Sequence, residues 1–499
     1  MKKASLILFG FIAVKIILQY VVVNPIYDLQ RDEYLHLDQA KHLAWGYHSI
    51  PPLTSWISWM ILQLGNSYFW VKFFPALFGA LTIVVVWKTV ESLKGSLYAC
   101  VLTAVALTFS SLLRINMLFQ PNSLDILCWT LVYYTFIRFI QTENYKWLYL
   151  LAISFAIGFL NKYNIAFCLL GLLPAVLLTE HRKLFLKYQF YVAILISLVL
   201  ISPNLIWQFQ HDFPVLKHMQ ELKKTQLVHV NRMDFVEDQV MFFFSSLLII
   251  LAGFVSLYTY KPFKPYRILF LAFTFTLTLF IYLKAKGYYA IGLYPIFLAF
   301  GAVYIGQLFQ QRWKIYIRLV PIGIILLLFI PLLNEALPLK TPNEYVKEGR
   351  NHRWEDGINH PISQDFADML GWKELARKVD SIYSSTPKKE NILILCDNYG
   401  QAGAINYYTK VKGLIADSFS DDYINWANLD REIKTVIRIK EAKNRNDNRD
   451  LSLFNKVVYV GKIESQFARE KDTQLILLSE PKIDLATLLR TERAAGRLE

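Results

Sequence analysis

Between residues 4 and 333 the chain is a succession of long apolar runs, and few folds accept such a pattern. A helix needs roughly 20 mostly apolar residues to cross a bilayer. Runs that meet or approach this length lie at 5–23, 69–87, 96–113, 123–140, 147–161, 163–179, 189–207, 240–259, 267–284, 288–308 and 315–333. Two of them are short, and 147–179 can also be read as one broken helix. The expected fold is therefore mainly α: a polytopic membrane body of about eleven transmembrane helices by the length criterion. Residues 334–499 have the mixed composition of a soluble domain.

Only 18% of the 499 residues are charged, against 55% apolar, whereas soluble domains carry roughly 25% charged residues. The formal net charge of +14 does not point to nucleic acid. Lys and Arg sit in short clusters between apolar runs and form no stripe on a soluble face. Those clusters alternate: Lys2 and Lys3; Lys88 and Lys94; Arg138 and Lys146; Arg182, Lys183 and Lys187; Lys261, Lys264 and Arg267; Arg312 and Lys314. All fall on one side, which the positive-inside rule makes the cytoplasm. An odd number of crossings then puts the C-terminal domain outside. The expected organisation is a membrane domain over 1–337 with a first outer loop at 24–68, and an extracytoplasmic α/β domain over 338–499. For a bacterial chain this means the inner (plasma) membrane. No small-residue cleavage site follows the first run, so it reads as an uncleaved span. Cys100, Cys128 and Cys168 lie in apolar runs and Cys396 stands alone in the tail, a pattern that supports neither a disulfide framework nor a Cys-based metal site.

The first outer loop is long enough to have structure. Glu33 to Trp45, stopped by Gly46, reads as a helix with Leu35, Ala40, Leu43 and Ala44 on one face and Asp32, His36 and Gln39 on another. Leu53 to Leu64, with Trp56 and Trp59, is too short to cross and suits a helix in the interface. In the tail, Pro338–Pro342 reads as a linker. Asn391–Cys396, Lys456–Val460 and Gln474–Leu478 read as strands, and Ala402–Tyr408 as a helix. Gly400-Gln401-Ala402-Gly403 lacks the third glycine and the Lys-Ser/Thr of a phosphate loop, so a tight strand-to-helix turn is expected.

The chemistry-bearing residues gather on the outer side. Asp32-Glu33 can serve as a general base or hold a divalent cation; the simpler reading is helix capping. His36, one turn from Asp32, is the candidate second group. Asp38 and His42 can be an ordinary surface pair, and with His48 they leave a divalent metal open, though no three ligands show a diagnostic spacing. Asp125 sits at the edge of a span, where an ionisable group is costly if it faces lipid. Its simpler role is a helix cap, which Asn122 or Ser123 can supply instead. Asn161-Lys162-Tyr163 and Lys284, Lys286, Tyr288 and Tyr289 interrupt apolar runs at the outer level, and His211 follows Trp207. Snorkelling explains such lysines, but they lie on the side where few are expected. Cations there suit a lipid phosphate.

Taken in order, several of these stretches resemble the GT-C membrane glycosyltransferases, in the bacterial branch related to protein O-mannosyltransferases and lipid A aminoarabinose transferases (glycosyltransferase family 39-like). They are Asp32-Glu33 with His42-Leu43-Ala44-Trp45-Gly46-Tyr47 and Pro51-Pro52-Leu53; Pro121-Asn122 with Asp125; Asn161-Lys162-Tyr163; Pro203-Asn204-Leu205-Ile206-Trp207 with Gln210-His211; Lys286-Gly287-Tyr288-Tyr289 with Tyr294-Pro295; and Asn398-Tyr399-Gly400 with Ala402-Gly403-Ala404. The resemblance implies inverting transfer of a hexose or pentose from a polyprenyl-phosphate-linked sugar to a lipid, glycan or protein acceptor. Asp32 would be the catalytic carboxylate, supported by Glu33, with Asp125 and His36 orienting the acceptor or a metal. Lys162, Lys284, Lys286 and Arg31 would bind the donor phosphate, and Asn122, Tyr163, His211, Tyr288 and Tyr289 would line the pocket. The resemblance implies no certain cofactor, and a divalent metal is left open. Where the aminoarabinose branch often has Lys before the paired prolines, this chain has Ile50. A transporter or flippase for lipid-linked saccharides, or a non-catalytic assembly protein, is the alternative expectation.

Overall fold

The computed structural model describes residues 2–225, 230–310, 312–442 and 448–495. The chain is a multi-pass, mainly helical membrane protein with a C-terminal mixed α/β sheet. Among the described residues, six helices are long and apolar enough to cross a membrane: Lys3–Val21, Tyr68–Ser92, Asn122–Thr142, Tyr188–Gln210, Lys261–Tyr282 and Ile315–Ala336. Three bent pairs raise that to nine, and two shorter apolar helices, Leu97–Thr108 and Lys146–Asn161, complete the set. Each of the eleven expected segments thus coincides with a helix, but only six to nine meet the length test. The break within 147–179 falls at Lys162, whose extended backbone (φ −157°, ψ 126°) separates Lys146–Asn161 from the turn Tyr163–Ile165.

Two compact units make up the fold. The first comprises 1–23, 45–54 and 66–339, and the second 24–44, 55–65 and 340–499. The loop 24–68, grouped above with the membrane domain, is therefore divided between them.

In the first unit the apolar surface faces outward. Tyr188–Gln210 and Ile315–Ala336 bury only 17% and 11% of their apolar windows, a composition that suits lipid and not water. Helices approach closely where side chains are small. A Cβ at Gly301 would lie 2.9 Å from the Gly253 nitrogen, and one at Gly253 would lie 2.4 Å from the Phe297 carbonyl oxygen. Leu247–Thr259 and Pro295–Leu308 therefore meet backbone to backbone, as packing without a hydrophobic driving force favours.

In the second unit, a five-stranded sheet runs in the order 416–418, 392–396, 435–440, 474–481, 454–462. Ile392–Cys396 is parallel to both neighbours, and Gln474–Pro481 is antiparallel to both of its own. Side chains alternate across it: Leu393, Val436, Ile476 and Leu478 pack with Leu485 and Leu489 of the helix Leu485–Ala494. Burial of these apolar side chains is the main force holding the layer together. The strands expected at 391–396, 456–460 and 474–478 are present, and so is the helix, as Tyr399–Tyr408. The helix expected from Glu33 to Trp45 is shorter. It runs Arg31–Asp38, followed by a 3-10 turn Gln39–Lys41. Leu43, expected on an apolar face, is 50% exposed.

Candidate active site

The acidic pair of the first loop opens the helix Arg31–Asp38, but Asp32 is not its cap. Gln30 takes that position: its Oε1 accepts from the Asp32 backbone N–H at 2.9 Å, and Glu33 Oε2 accepts from the Gln30 N–H at 2.7 Å. This reciprocal capping box satisfies orphan N–H groups at the helix start and commits the fully buried Glu33 to structure. The Asp32 side chain goes elsewhere. Its Oδ1 accepts a 2.7 Å hydrogen bond from the Tyr399 hydroxyl, and the Arg31 guanidinium lies 4.3 Å above the Tyr399 ring centroid.

Tyr399 follows the carboxyl end of Ile392–Cys396, where open α/β sheets commonly present functional residues. Asn398 caps its helix by accepting from the Gln401 N–H at 3.0 Å. The Asn398 amide donates to Glu441 at 2.6 Å and to Glu470 at 3.1 Å. The helix lies directly on Arg31–Asp38 because its glycines carry no side chain. A Cβ at Gly400 would sit 2.6 Å from Arg31 Cγ, and one at Gly403 2.7 Å from Tyr34 Cβ. Gly400–Gly403 is thus a helix-packing surface inside the helix, and the turn expected there falls earlier, at 397–398.

Burial pushes the Tyr399 phenol well above its ordinary pKa, although Arg31 pulls the other way, so it remains a donor at neutral pH. Burial also opposes the Arg31 charge, but Tyr399, Asp32, Glu470 and Asp368 outweigh it, and the pKa rises. His36 is buried, and burial lowers its pKa against the opposing pull of Asp32. Its Nδ1 lies 3.4 Å from Gln39 Oε1. Asp38 and His42 are not the surface pair expected. Asp38 accepts from Tyr423 and Asn406 at 2.6 Å each, and His42 stacks on Trp426 with ring centroids 4.3 Å apart. These ties, absent from any helical pattern, accompany the early end of the helix.

In the first unit a cation-centred group forms at the breaks between helices. Lys162 donates to Asn122 Oδ1 at 2.7 Å and lies 4.9 Å and 4.5 Å from the ring centroids of Tyr288 and Tyr289. Asp125 accepts from Trp129 Nε1 at 3.1 Å and from the Asn164 amide at 3.0 Å, and that amide also reaches the Tyr289 carbonyl at 2.9 Å. No side chain caps Asn122–Thr142, so capping explains neither Asn122 nor Asp125. The segment carrying Lys286, Tyr288 and Tyr289 is held where Gln239 donates to the Gly287 carbonyl at 3.1 Å.

The other expected site residues lie differently. Lys284 is exposed, on a left-handed turn (φ 54°). Tyr163 bonds Asn204 and Gln208 at 3.0 and 2.9 Å. His211 is exposed, with its ring stacked on Trp207 at 4.1 Å. Sequence reading missed Tyr399 as the partner of Asp32. It also missed His218 and Glu221, which with His48 form the one group among the described residues able to hold a metal. Their ligand atoms all lie within 4.8 Å of one another. His218 and Glu221 are i,i+3 neighbours on Pro214–Thr225, a spacing that puts both on one helix face.

Residues 49–207 match the family model described as dolichyl-phosphate-mannose-protein mannosyltransferase. The lipid A galacturonosyltransferase RgtD of Rhizobium johnstonii is 21% identical over 203 residues, which span 39% of this chain and 43% of that protein. Among solved structures, ArnT from Cupriavidus metallidurans bound to undecaprenyl phosphate superposes with a TM-score of 0.61 at 11% identity, covering 96% of this chain and 98% of that one. The oligosaccharyltransferase AglB from Archaeoglobus fulgidus, in complex with an inhibitory peptide and a dolichol-phosphate, gives 0.51 at 10% identity over 87% of this chain and 69% of that one. The chain is therefore a relative of the GT-C membrane glycosyltransferases, with mannosyltransferase-family sequence over residues 49–207 and an ArnT-like fold over nearly its whole length.

Proposed function

We propose that this protein is an inverting glycosyltransferase that moves a sugar from a polyprenyl-phosphate donor to an acceptor hydroxyl, on the outer face of a bacterial inner membrane. The observation that carries this reading is the Asp32 carboxylate. It sits in a chain with mannosyltransferase-family sequence, is not used as the helix cap, and is held by a protonated tyrosine.

In the proposed step the acceptor oxygen attacks the anomeric carbon and the acceptor proton passes to Asp32. The bond from the anomeric carbon to the phosphate oxygen breaks, and its electron pair leaves with the polyprenyl phosphate. Cations that meet the charge developing on that phosphate lower the barrier. Lys162 and Lys286 are assigned this role, Lys162 being oriented by Asn122 and the two tyrosine rings. Asp125 and Asn164 fix the break from which Lys162 projects. The exposed Lys284 is assigned a lesser part, and Arg31 acts through Tyr399 and Asp32. The acceptor is a lipid, glycan or protein. The relative that acts on lipid A makes an outer-leaflet glycolipid the first to try.

The test is Asp32→Asn in vesicles supplied with undecaprenyl-phosphate-linked hexose, hexuronic acid or amino-pentose, reading release of undecaprenyl phosphate. Transfer should be lost, and wild-type turnover by the variant would remove the proposed base. Lipid translocation without transfer by the unmodified protein would favour a carrier instead.

A further inference from the structure

The Tyr399 ring is fixed on several sides. It opens the helix Tyr399–Tyr408, the preceding Asn398 is anchored by Glu441 and Glu470, and the Arg31 guanidinium covers its face. The missing side chain at Gly400 is what lets Arg31 lie there. Its hydroxyl is thus delivered to Asp32 Oδ1 at 2.7 Å by a supported framework, and a hydroxyl-to-carboxylate bond is directional. We propose that Tyr399 is the positioning residue of the catalytic carboxylate: it fixes the plane of the Asp32 carboxyl group for proton transfer. The C-terminal α/β domain then supplies part of the reaction machinery. The inference rests on the reading of Asp32 as the base.

The charged and titratable groups facing Asp32 are Arg31 and His36 from its own helix, Tyr399 from the packed helix, and Asp368 from the segment before Trp372–Ser385. Burial keeps His36 neutral, so Arg31 is the cation beside the pair.

Tyr399→Phe keeps the ring beneath Arg31 and removes only the hydroxyl. In full-length protein in vesicles, with the undecaprenyl-phosphate sugars above, the expected result is a drop in kcat of about ten- to a hundredfold, with donor KM little changed. In an Asp32→Asn background the same substitution should add nothing to the loss. Unchanged kcat in Tyr399→Phe, with Asp32→Asn inactive, would overturn the positioning role and leave the base in place. A raised donor KM with kcat unchanged would reduce Tyr399 to a tie between helices and overturn it equally. An active Asp32→Asn would instead remove the reading beneath it. Thermal unfolding of each variant in detergent separates these results from misfolding.

Discussion

Gly403→Ala is a small substitution that tests whether the helix Tyr399–Tyr408 sets the geometry at Asp32. A Cβ built there lies 2.7 Å from Tyr34 Cβ, 2.8 Å from the Tyr423 hydroxyl and 3.0 Å from the Tyr34 backbone carbon. Regaining ordinary contact near 3.5 Å means a retreat of roughly 0.8 Å. Tyr34 offers little room: it is fully buried, with its ring against Trp372, Tyr407 and Tyr408, so the helix has to move. Tyr399 lies one turn before Gly403, on the same face. The same retreat would stretch its 2.7 Å bond to Asp32 beyond the roughly 3.0 Å limit of a good O–H···O contact.

Two energies then compete. Overpacking costs about 1–3 kcal/mol, and replacing a helical glycine by alanine returns about 1 kcal/mol. The expected outcome is a net loss of about 0–2 kcal/mol by these two terms, together with a fall in transfer of at least about tenfold from the lost hydrogen bond. Gly461→Ala is the control, since nothing lies within 4 Å of its added Cβ. It should stay within about 0.5 kcal/mol of the parent and transfer normally. The measurements are thermal unfolding in detergent and undecaprenyl-phosphate release in vesicles. If Gly403→Ala is more stable by the full helix-propensity gain and transfers normally, the two helices do not pack as described and the reasoning fails.

Lys162→Met should raise the donor KM and lower kcat by about a hundredfold if Lys162 meets the leaving phosphate. Asn122→Ala, which only misdirects it, should cost about tenfold; unaltered kinetics in both would remove the cation from the reaction. Metal titration of the detergent-solubilised protein, followed calorimetrically, should show one zinc equivalent bound through His48, His218 and Glu221, and His218→Ala should abolish it. Burial lowers the His218 pKa to about 4, so a neutral ligand is ready at pH 7, and heat unchanged by the substitution would place the metal elsewhere. Burial raises Asp417 to about 6, against Arg431 and helped by Asp38. A raised folded-state pKa gives stability that is complete below the unfolded value and lost as pH climbs through 6. Asp417→Asn should therefore raise the melting temperature at pH 7.5 by an amount corresponding to at most about 3 kcal/mol and have little effect at pH 4, with the opposite ordering counting against the assignment. Glu33→Gln, which keeps an oxygen for the Gln30 N–H, should retain most activity. Glu33→Ala should cost about 1 kcal/mol in stability, so near-total loss of transfer in Glu33→Gln would return Glu33 to the chemistry.

The membrane spans were legible because crossing a bilayer imposes a length and a composition that no tertiary contact can override. The strand Thr435–Lys440 was not. Arg438 and Lys440 interrupt its apolar pattern, yet Lys440 is buried and Arg438 pairs with Asp397 and the Leu395 carbonyl. These polar side chains are satisfied by partners that the strand itself does not reveal. Lys284 and Lys286 looked equivalent in sequence. A left-handed backbone at Lys284 leaves it exposed, while Lys286 lies near enough to Lys162 to oppose its charge. The spacing of His218 and Glu221 was readable, but His48, the third member of that group, lies far away along the chain. Tyr399 and Asp32 are farther apart still, and only the packing of two helices joins them.

The acidic pair shows why residue type alone could not assign the roles. Asp32 and Glu33 are adjacent, both lie in the first turn of one helix, and either can cap a helix or accept a proton. Consecutive residues on a helix point about 100° apart, so one carboxylate faces inward and the other toward Tyr399. Side-chain length then matters. Glu33 has the extra methylene needed to fold back onto the Gln30 N–H, the reach that the third position of a capping box requires. Because Gln30 caps the Asp32 N–H in turn, the helix start is satisfied without the Asp32 side chain. Its shorter carboxylate can meet the Tyr399 hydroxyl without competing with the helix for the same oxygen atoms. The order Asp-Glu, preceded by a residue that can cap, is therefore what turns Glu33 back onto the helix start and Asp32 toward Tyr399.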